Sequence, residues 1–215
     1  MKGIFITVEG IDGVGKTTQL DLLHRWFVSQ GYQVLFTREP GGTKVGEGIR
    51  EALLNREHTG LSPVAEALLY AASRAQLVQD VIIPALAVGR IVVCDRFLDS
   101  SIAYQGFGRG LPVAYIEAIN SQATKGIRPD LTLLLDMDIA AGRSRLKGEG
   151  RTALDRLEGE SLSFYHRVRE GYLQLAQAEP ERIKIISAQH SIAEVNRQII
   201  DYITKLLGDS SRPAN

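Results

Sequence analysis

Residues 10–17, Gly-Ile-Asp-Gly-Val-Gly-Lys-Thr, constrain this chain more than any other stretch, because they fit the phosphate-binding pattern G-x-x-x-x-G-K-[ST], the P-loop. An apolar, β-branched run at 4–8 precedes them, and a helical pattern of apolar residues follows at 20–27. In a strand–turn–helix unit the glycines let backbone N–H groups face phosphate oxygens, and the helix N-terminus and Lys16 add positive charge. Thr17 offers a hydroxyl to Mg²⁺. The alternative, a glycine turn that binds nothing, is disfavoured by the preceding strand and the Lys-Thr pair.

Bulk composition limits the other ligands. The 215 residues suit one α/β domain, and 25 basic residues balance 25 acidic ones, so no net charge recruits nucleic acid or an anionic membrane. The single cysteine, Cys94, sits in an apolar run and is expected to be a buried strand residue. No apolar stretch is long enough to span a bilayer and no signal peptide precedes the first strand, so we expect a cytoplasmic protein.

Apolar runs alternate with helical patterns along the whole chain, which is typical of a parallel sheet covered on both faces. We predict strands near 3–9, 33–38, 90–95, 130–136 and 182–187. We predict helices near 16–30, 45–55, 63–88, 112–125, 138–147, 158–178 and 191–207. Pro84 should kink or divide the third helix, and Gly89 should end it. The pattern predicts an α/β P-loop NTPase domain at 1–207: a three-layer fold with a five-stranded parallel sheet, a lid at about 147–156 and a flexible tail at 208–215.

A second motif follows the third predicted strand. Four apolar residues end in Asp95 and Arg96, so a buried strand delivers a carboxylate to the edge that faces the P-loop. There Asp95 can hold Mg²⁺ directly or through water, and the Arg96 guanidinium matches a phosphate in two-point contact. The alternative for the pair is a plain ion pair at the end of a strand.

Switch GTPases are excluded by what the sequence lacks. It contains no Asn-Lys-x-Asp segment to read guanine, and beyond the P-loop no Asp-x-x-Gly follows a strand to respond to a γ-phosphate. The remaining polar motifs instead suggest a second phosphorylated ligand that carries a base. Tyr70 and Arg74 are spaced to share a helix face, where a ring can stack on a base and a guanidinium can hold its edge. Tyr70 alone would more often be an ordinary core or surface aromatic. The Gln105 amide can meet both a donor and an acceptor on a base.

Five segments together resemble the thymidylate kinase family over nearly the whole chain. They are Glu-Gly-Ile-Asp-Gly-Val-Gly-Lys-Thr-Thr at 9–18, Arg-Glu-Pro-Gly-Gly-Thr at 38–43, Gly-Glu-Gly-Ile-Arg at 46–50, Asp-Arg-Phe at 95–97 and Ser-Ser-Ile-Ala-Tyr-Gln-Gly at 100–106. The P-loop is common to many families, whereas the other segments in this order are far more specific. The resemblance implies transfer of the γ-phosphoryl group of ATP to dTMP, with Mg²⁺, in a homodimer that acts in dTTP synthesis.

The resemblance also implies a role for each matching position. Tyr70 would stack on thymine where a phenylalanine is more usual, Arg74 and Gln105 would bond its edge, and Asp12 would meet the 3′-hydroxyl. Arg50 and Arg96 would hold the dTMP phosphate, and Tyr104 would crowd out a ribose 2′-hydroxyl. The dTMP set is Asp12, Glu39, Pro40, Arg50, Tyr70, Arg74, Arg96, Ser101, Tyr104 and Gln105. The ATP set is Gly10, Ile11, Asp12, Gly13, Val14, Gly15, Lys16, Thr17, Thr18 and Arg143, with Arg143 over adenine and the loop at 188–189 at its edge. Thr17 and Asp95 are the metal set, and Lys16, Asp95, Arg96, Arg151 and Arg156 the catalytic set.

One departure concerns the cation that reaches the transferring phosphate. Some family members carry an arginine in the P-loop where this chain has Gly13, and others supply it from the lid. We expect Arg151 to do so here, with Arg156 as the alternative.

Two other functions stay open. One is a kinase for another nucleotide, which would be distinguished by the base that Gln105 and Arg74 bind. The other is a regulator that binds both nucleotides without turnover. The four histidines show no metal-ligand spacing.

Overall fold

The computed structural model describes residues 3–148 and 155–210. Its five strands are β1 (Ile4–Glu9), β2 (Val34–Arg38), β3 (Ile91–Asp95), β4 (Leu131–Asp136) and β5 (Ile183–Ser187). They form one sheet in the order β2-β3-β1-β4-β5, and every pairing is parallel. The predicted α/β fold with a five-stranded parallel sheet is therefore confirmed.

Helices fill the connections between the strands. In chain order they are α1 (Lys16–Ser29), α2 (Lys44–Leu54), α3 (Pro63–Leu77), a first π-helical segment (Val78–Ile82), α4 (Ile83–Ala87), α5 (Leu98–Ser101), a second π-helical segment (Ile102–Gly108), α6 (Val113–Thr124), α7 (Ile139–Gly148), α8 (Leu162–Ala178) and α9 (Ile192–Ser210). Helix α9 runs three residues past its predicted end, and the remainder of the predicted tail lies outside the described residues.

Both faces of the sheet are buried, because its strands are apolar at consecutive positions. Ile6 and Val93 face one cluster, which includes side chains of α1, α8 and α9. Phe5 and Val92 face the other, which includes side chains of α3, α4 and α6. Cys94 lies in this second cluster with no exposed surface, as predicted for a buried strand residue.

The predicted helix at 63–88 is divided, and the division begins before Pro84. Helix α3 ends at Leu77, the first π-helical segment follows, and Pro84 stands in the first turn of α4. Proline has no N–H, and its ring crowds the carbonyl four residues earlier, at Asp80. The wider π turn lies at this point of conflict. Gly89 has φ 76° and follows the end of α4, as expected of a helix stop.

A helical stretch at 98–108 was not predicted. It comprises α5 and the second π-helical segment, and it crosses α8 at close range. A Cβ on Gly108 would lie 2.7 Å from the Phe164 ring, and one on Gly171 the same distance from Phe107. Glycine weakens an isolated helix, so the contact with α8, which no local pattern reveals, stabilises this segment.

The register of the sheet brings the polar ends of three strands together. Asp95 at the end of β3 pairs with Val8 on one side and with Arg38 on the other. Since parallel strands all end at the same edge, the P-loop after β1, Glu39 after β2 and Asp95–Arg96 after β3 meet there.

Candidate active site

The P-loop has the geometry that phosphate binding needs. Gly10, Gly13 and Gly15 all have positive φ, at 137°, 84° and 92°. A Cβ on Gly10 would collide with the carbonyl oxygen of Leu135. Helix α1 starts after Gly15 with no side chain capping its first N–H groups. These N–H groups and the helix dipole are therefore available to an anion.

Lys16 points back into the loop. Its Nζ donates to the carbonyl oxygens of Gly10 and Ile11, at 3.0 Å each, and lies 3.9 Å from Asp12. Burial, followed by the charge of Arg96, lowers the pKa of Lys16 to about 8, against the attraction of nearby carboxylates. The ammonium is thus a partly desolvated charge, held where a phosphate would stabilise it.

A cavity of about 360 Å³ opens in front of the loop, with Thr17 and Asp95 on its wall. The Oδ1 atom of Asp95 is buried and has no hydrogen-bond partner among the described residues. No cluster of three or more His, Cys, Asp or Glu side chains suited to a metal occurs in residues 3–148 and 155–210. An unpartnered carboxylate oxygen beside a threonine hydroxyl fits a cation that completes its shell with water and phosphate.

Arg96 stands at the centre of the site. Its φ of 69° is unusual for a residue other than glycine, which indicates a backbone held in place by its surroundings. The guanidinium donates to Asp12 at 2.6 Å and to Tyr172 at 3.3 Å, and it lies 5.1 Å from the Tyr104 ring centre. Burial works against its charge, but Tyr104, Asp12 and other neighbours raise the pKa of Arg96 well above its usual value.

Asp12 links the P-loop to Arg96 and two tyrosines. Its carboxylate accepts from Arg96 and, more weakly, from the hydroxyls of Tyr104 at 3.3 Å and Tyr165 at 3.5 Å. Burial alone would raise the pKa of Asp12, but the charges of Arg96 and Lys16 hold it below its usual value. Asp12 is therefore a charged acceptor at neutral pH.

A second, smaller cavity of about 90 Å³ lies beside the first. Its wall includes every residue of the predicted dTMP set except Arg74: Asp12, Glu39, Pro40, Arg50, Tyr70, Arg96, Ser101, Tyr104 and Gln105. Asp12, Glu39, Arg50 and Arg96 line both cavities. The two spaces therefore meet at these side chains, and a ligand in each would bring its phosphates to the same place.

The structure places Arg74 behind the wall of this cavity. All five of its N–H groups are engaged, by Glu39 twice, Ser101, Asn120 and the Phe97 carbonyl. In this geometry Arg74 positions Glu39 and Ser101, and contact with a base would require one of these bonds to be exchanged.

Glu39 keeps one carboxylate oxygen free. Its Oε2 accepts from Arg74, whereas its buried Oε1 has no hydrogen-bond partner among the described residues. Burial raises the pKa of Glu39 to about 7, and the charge of Arg74 opposes the rise. Arg50 donates to the carbonyl of the neighbouring Pro40 at 3.0 Å, which places its guanidinium at the junction of the two cavities.

Arg143, predicted to lie over adenine, and Arg145 make different contacts in the structure. A third cavity, of about 370 Å³, borders the P-loop at Gly13 and Val14, and its wall includes Arg145 and Ala188. Arg145 donates to the Ala188 carbonyl at 3.2 Å. Arg143, two residues earlier on α7, instead donates to the Glu160 carbonyl and lies 5.7 Å from the Tyr165 ring centre. Residues two apart on a helix face different directions, so Arg145 is the arginine that reaches this cavity.

Of the two arginines predicted to supply the cation from the lid, the structure describes only Arg156. Arg151 lies outside the described residues. Arg156 is fixed away from the P-loop cavity: its Nε donates to the Leu53 carbonyl at 2.8 Å, and its Nη2 lies 2.7 Å from Glu66. Asp155 and Glu158, on either side of it, do line the P-loop cavity.

Several residues of the site were missed. Glu9, fully buried at the end of β1, accepts from the Phe97 backbone at 2.7 Å, from Ser100 at 2.6 Å and from Tyr172 at 2.8 Å. Burial and then Asp99 raise the pKa of Glu9. The sequence did carry a signal for Glu9, because it is a carboxylate at the end of an apolar strand. Tyr172 and Tyr165 are seven residues apart on α8, a spacing that places both on one face. Nothing local marked Glu66, whose partners are distant in sequence.

Comparisons with known proteins agree with this geometry. Residues 8–199 match the family model described as thymidylate kinase. The chain is 51% identical over 207 residues to a thymidylate kinase of Pelotomaculum thermopropionicum, covering 96% of this chain and 95% of that one. It is 47% identical to a thymidylate kinase of Thermoanaerobacter sp., covering 96% and 100%. The crystal structure of thymidylate kinase from Ehrlichia chaffeensis matches with a TM-score of 0.76 and 35% identity, over 95% of this chain and 99% of that one. This chain belongs to the thymidylate kinase family.

Proposed function

We propose that this chain carries out the reaction of its family with the side chains described above: the γ-phosphoryl group of ATP passes to dTMP, giving dTDP and ADP. The observation that carries the proposal is the junction of the P-loop cavity and the smaller cavity at Asp12, Arg50 and Arg96. Phosphoryl transfer depends mainly on positioning and on charge stabilisation, and this junction offers both.

On the ATP side, Lys16 and the N–H groups at the start of α1 hold the phosphates. Thr17 and Asp95 would hold Mg²⁺, because Asp95 keeps a buried carboxylate oxygen without a hydrogen-bond partner in the described part of the chain. When bound, the ion neutralises charge on the β- and γ-phosphates. The cavity at Arg145 and Ala188 is of the size and position to take the adenine end of the nucleotide.

On the acceptor side, Arg50 and Arg96 hold the dTMP phosphate and Asp12 accepts from the 3′-hydroxyl. Tyr70 offers its ring to the base. Burial, and then the charge of Glu66, raise the pKa of the Tyr70 phenol, so it remains a neutral aromatic at any working pH. Tyr104 lines the same cavity against Arg96, and we propose that its ring leaves no space for a ribose 2′-hydroxyl.

The direct test is product analysis with purified protein. ATP and dTMP should yield dTDP and ADP in equal amounts, with dCMP, AMP and GMP turned over much more slowly. Comparable turnover of any of these would assign a different acceptor. Binding of ATP and dTMP without dTDP would indicate a regulator.

We propose that Arg151 supplies the cation that reaches the transferring phosphate when the lid closes. The position of Arg156 supports this proposal, because the Leu53 carbonyl and Glu66 hold its guanidinium away from the P-loop cavity. Arg151→Ala should lower kcat by about a hundredfold or more, which is the effect expected when an arginine finger or an oxyanion-hole donor is removed. Arg156→Ala should act mainly on stability and on the KM for dTMP. The reverse ranking would assign the role to Arg156.

We also propose that the protein is a cytoplasmic homodimer. Val45 on α2 and Val64 and Leu68 on α3 are large apolar side chains exposed at 56%, 44% and 49%, and α2 and α3 pack together. A second copy covering this face would remove them from water. Sedimentation should show a dimer that Leu68→Lys dissociates; a wild-type monomer would contradict it. Among the described residues, no helix has the length and apolar character needed to cross a bilayer.

A further inference from the structure

Glu66 on α3 is a fully buried carboxylate that contacts three side chains from other parts of the chain. Its Oε1 accepts from the Gln105 amide nitrogen at 2.9 Å and from Arg109 at 3.1 Å. Its Oε2 accepts from Arg109 at 3.0 Å and lies 2.7 Å from Arg156. The carboxylate thus faces two guanidinium groups and one amide.

This environment keeps Glu66 ionised. Burial alone would raise its pKa, but the hydrogen bonds from Arg109 and Gln105 bring the pKa below its usual value. An ionised carboxylate can only accept hydrogen bonds, so the group of Gln105 that faces it must be the NH₂. The orientation of the Gln105 amide follows from this chemistry, because the opposite assignment of its oxygen and nitrogen would set a carbonyl oxygen against a carboxylate.

The orientation of Gln105 decides what the smaller cavity presents to a base. Gln105 lines that cavity. With one N–H given to Glu66, its carbonyl oxygen and second N–H remain for a ligand. A carbonyl beside an N–H matches thymine, whose N3–H donates and whose O4 accepts. Cytosine has the reverse pattern, with N3 accepting and the 4-amino group donating, and would require the amide to turn over.

We propose that Glu66 is a positioning residue for base selection: it fixes the Gln105 amide so that the site accepts an N3–H base such as thymine and rejects cytosine. The inference rests on the proposed function, in which the smaller cavity takes dTMP. It goes further by assigning the discrimination between thymine and cytosine to Glu66, which lies behind the base-contacting Gln105 and does not itself line the cavity. Turning the amide over would bring its carbonyl against the Glu66 carboxylate, and this repulsion makes the selection.

Glu66→Gln tests the proposal, because an amide at 66 can either accept from or donate to Gln105. The kcat/KM values for dTMP, dCMP and dUMP are measured on one preparation, so their ratios are independent of the fraction of active enzyme. We expect the dCMP to dTMP ratio to rise by about tenfold or more, the scale of a buried polar mismatch that is removed. The dUMP to dTMP ratio should change by less than about twofold, because uracil presents the same N3–H and O4.

Matched variants separate positioning from general loosening of the pocket. Arg109→Gln removes another partner of Glu66 and leaves the Gln105 bond, so its dCMP to dTMP ratio should stay near that of the wild type. The double variant Glu66→Gln/Arg109→Gln removes both charges of one ion pair, so neither charge is left without its partner. Its dCMP to dTMP ratio should rise as in Glu66→Gln. In a Gln105→Met background, Glu66→Gln should cause no further change in the ratio.

An unchanged dCMP to dTMP ratio in both Glu66→Gln and the double variant would overturn the proposal. An equal rise for dUMP and dCMP would also overturn it, since that is the result of a loosened cavity. Failure of the proposed function is a different observation: the wild-type protein itself would not form dTDP from dTMP.

Discussion

Raising the pH above 8 should weaken ATP binding through a single side chain. The structure lowers the pKa of Lys16 to about 8, because the ammonium is buried and faces the positive charge of Arg96. Only the charged form attracts phosphate. The apparent Kd therefore increases as the charged fraction falls, which happens as the pH passes through the pKa of the free protein.

The size of the effect follows from that pKa. With a pKa of about 8, the charged fraction is about nine-tenths at pH 7, about one-tenth at pH 9 and about one-hundredth at pH 10. The Kd for ATP should thus increase about tenfold at pH 9 and up to about a hundredfold at pH 10, relative to neutral pH.

Stability should move in the opposite direction over the same range. Between pH 8 and the ordinary lysine pKa of 10.5, the unfolded chain binds the proton and the folded chain does not. The contribution of Lys16 to the free energy of unfolding therefore increases with pH in this window, by up to about 3 kcal/mol.

Calorimetric titration of ATP, without dTMP, between pH 7 and pH 10 measures the binding effect. Lys16→Arg is the matched control, because a guanidinium keeps its charge throughout this range. Its affinity for ATP should be nearly independent of pH, whatever its absolute value. A flat profile for the wild type up to pH 10, or the same decline in Lys16→Arg, would show that deprotonation of Lys16 does not control ATP binding.

Four further changes have expected outcomes. Gly10→Ala should abolish ATP binding in a calorimetric titration, because a Cβ would strike the Leu135 carbonyl; binding within about threefold of the wild type would contradict this. Arg96→Ala should raise the KM for dTMP far more than that for ATP in steady-state assays, whereas equal changes would argue against its acceptor role. Tyr172→Phe removes a hydroxyl bonded to Glu9 and should lower the free energy of unfolding in urea by about 1 kcal/mol, with no change as the contrary result. Leu133→Ala, at a fully buried position, should lower it by about 2–5 kcal/mol in the same urea experiment, and a loss under 1 kcal/mol would contradict the core described.

The strands and the P-loop could be predicted because their signals are local. Each strand is a short apolar run next to a turn, and residues 10–17 carry their own motif. The junction of the two cavities was also within reach, since parallel strands end at one edge. The resemblance then supplied the predicted dTMP set, and the structure gathers all of its members except Arg74 around one cavity.

The remainder depends on contacts between distant segments. The helical stretch at 98–108 contains Gly106 and Gly108, and its packing against Phe164 and Val168 of α8 is invisible locally. Arg74 was expected at the base, but its five N–H groups are taken by partners from 23 to 46 positions away. A charged side chain that looks available in sequence can be fully engaged in the fold.

The same limit applies to the directions in which Arg143 and Arg145 point. Sequence resemblance matched a position, whereas the direction of each side chain depends on how α7 is rotated against Tyr165 and the Ala188 loop. Glu66 was missed for a related reason, because its partners come from two segments far from α3 in sequence: Gln105 and Arg109 from one, and Arg156 from the other.

The product balance of one reaction, with nucleotides separated by chromatography, shows whether this chain transfers phosphoryl groups to dTMP. With ATP, Mg²⁺ and dTMP, we expect dTDP and ADP in a one-to-one ratio, and a kcat/KM for dTMP at least about tenfold above that for dCMP. Formation of ADP without dTDP, or equal kcat/KM values for the two acceptors, would contradict it.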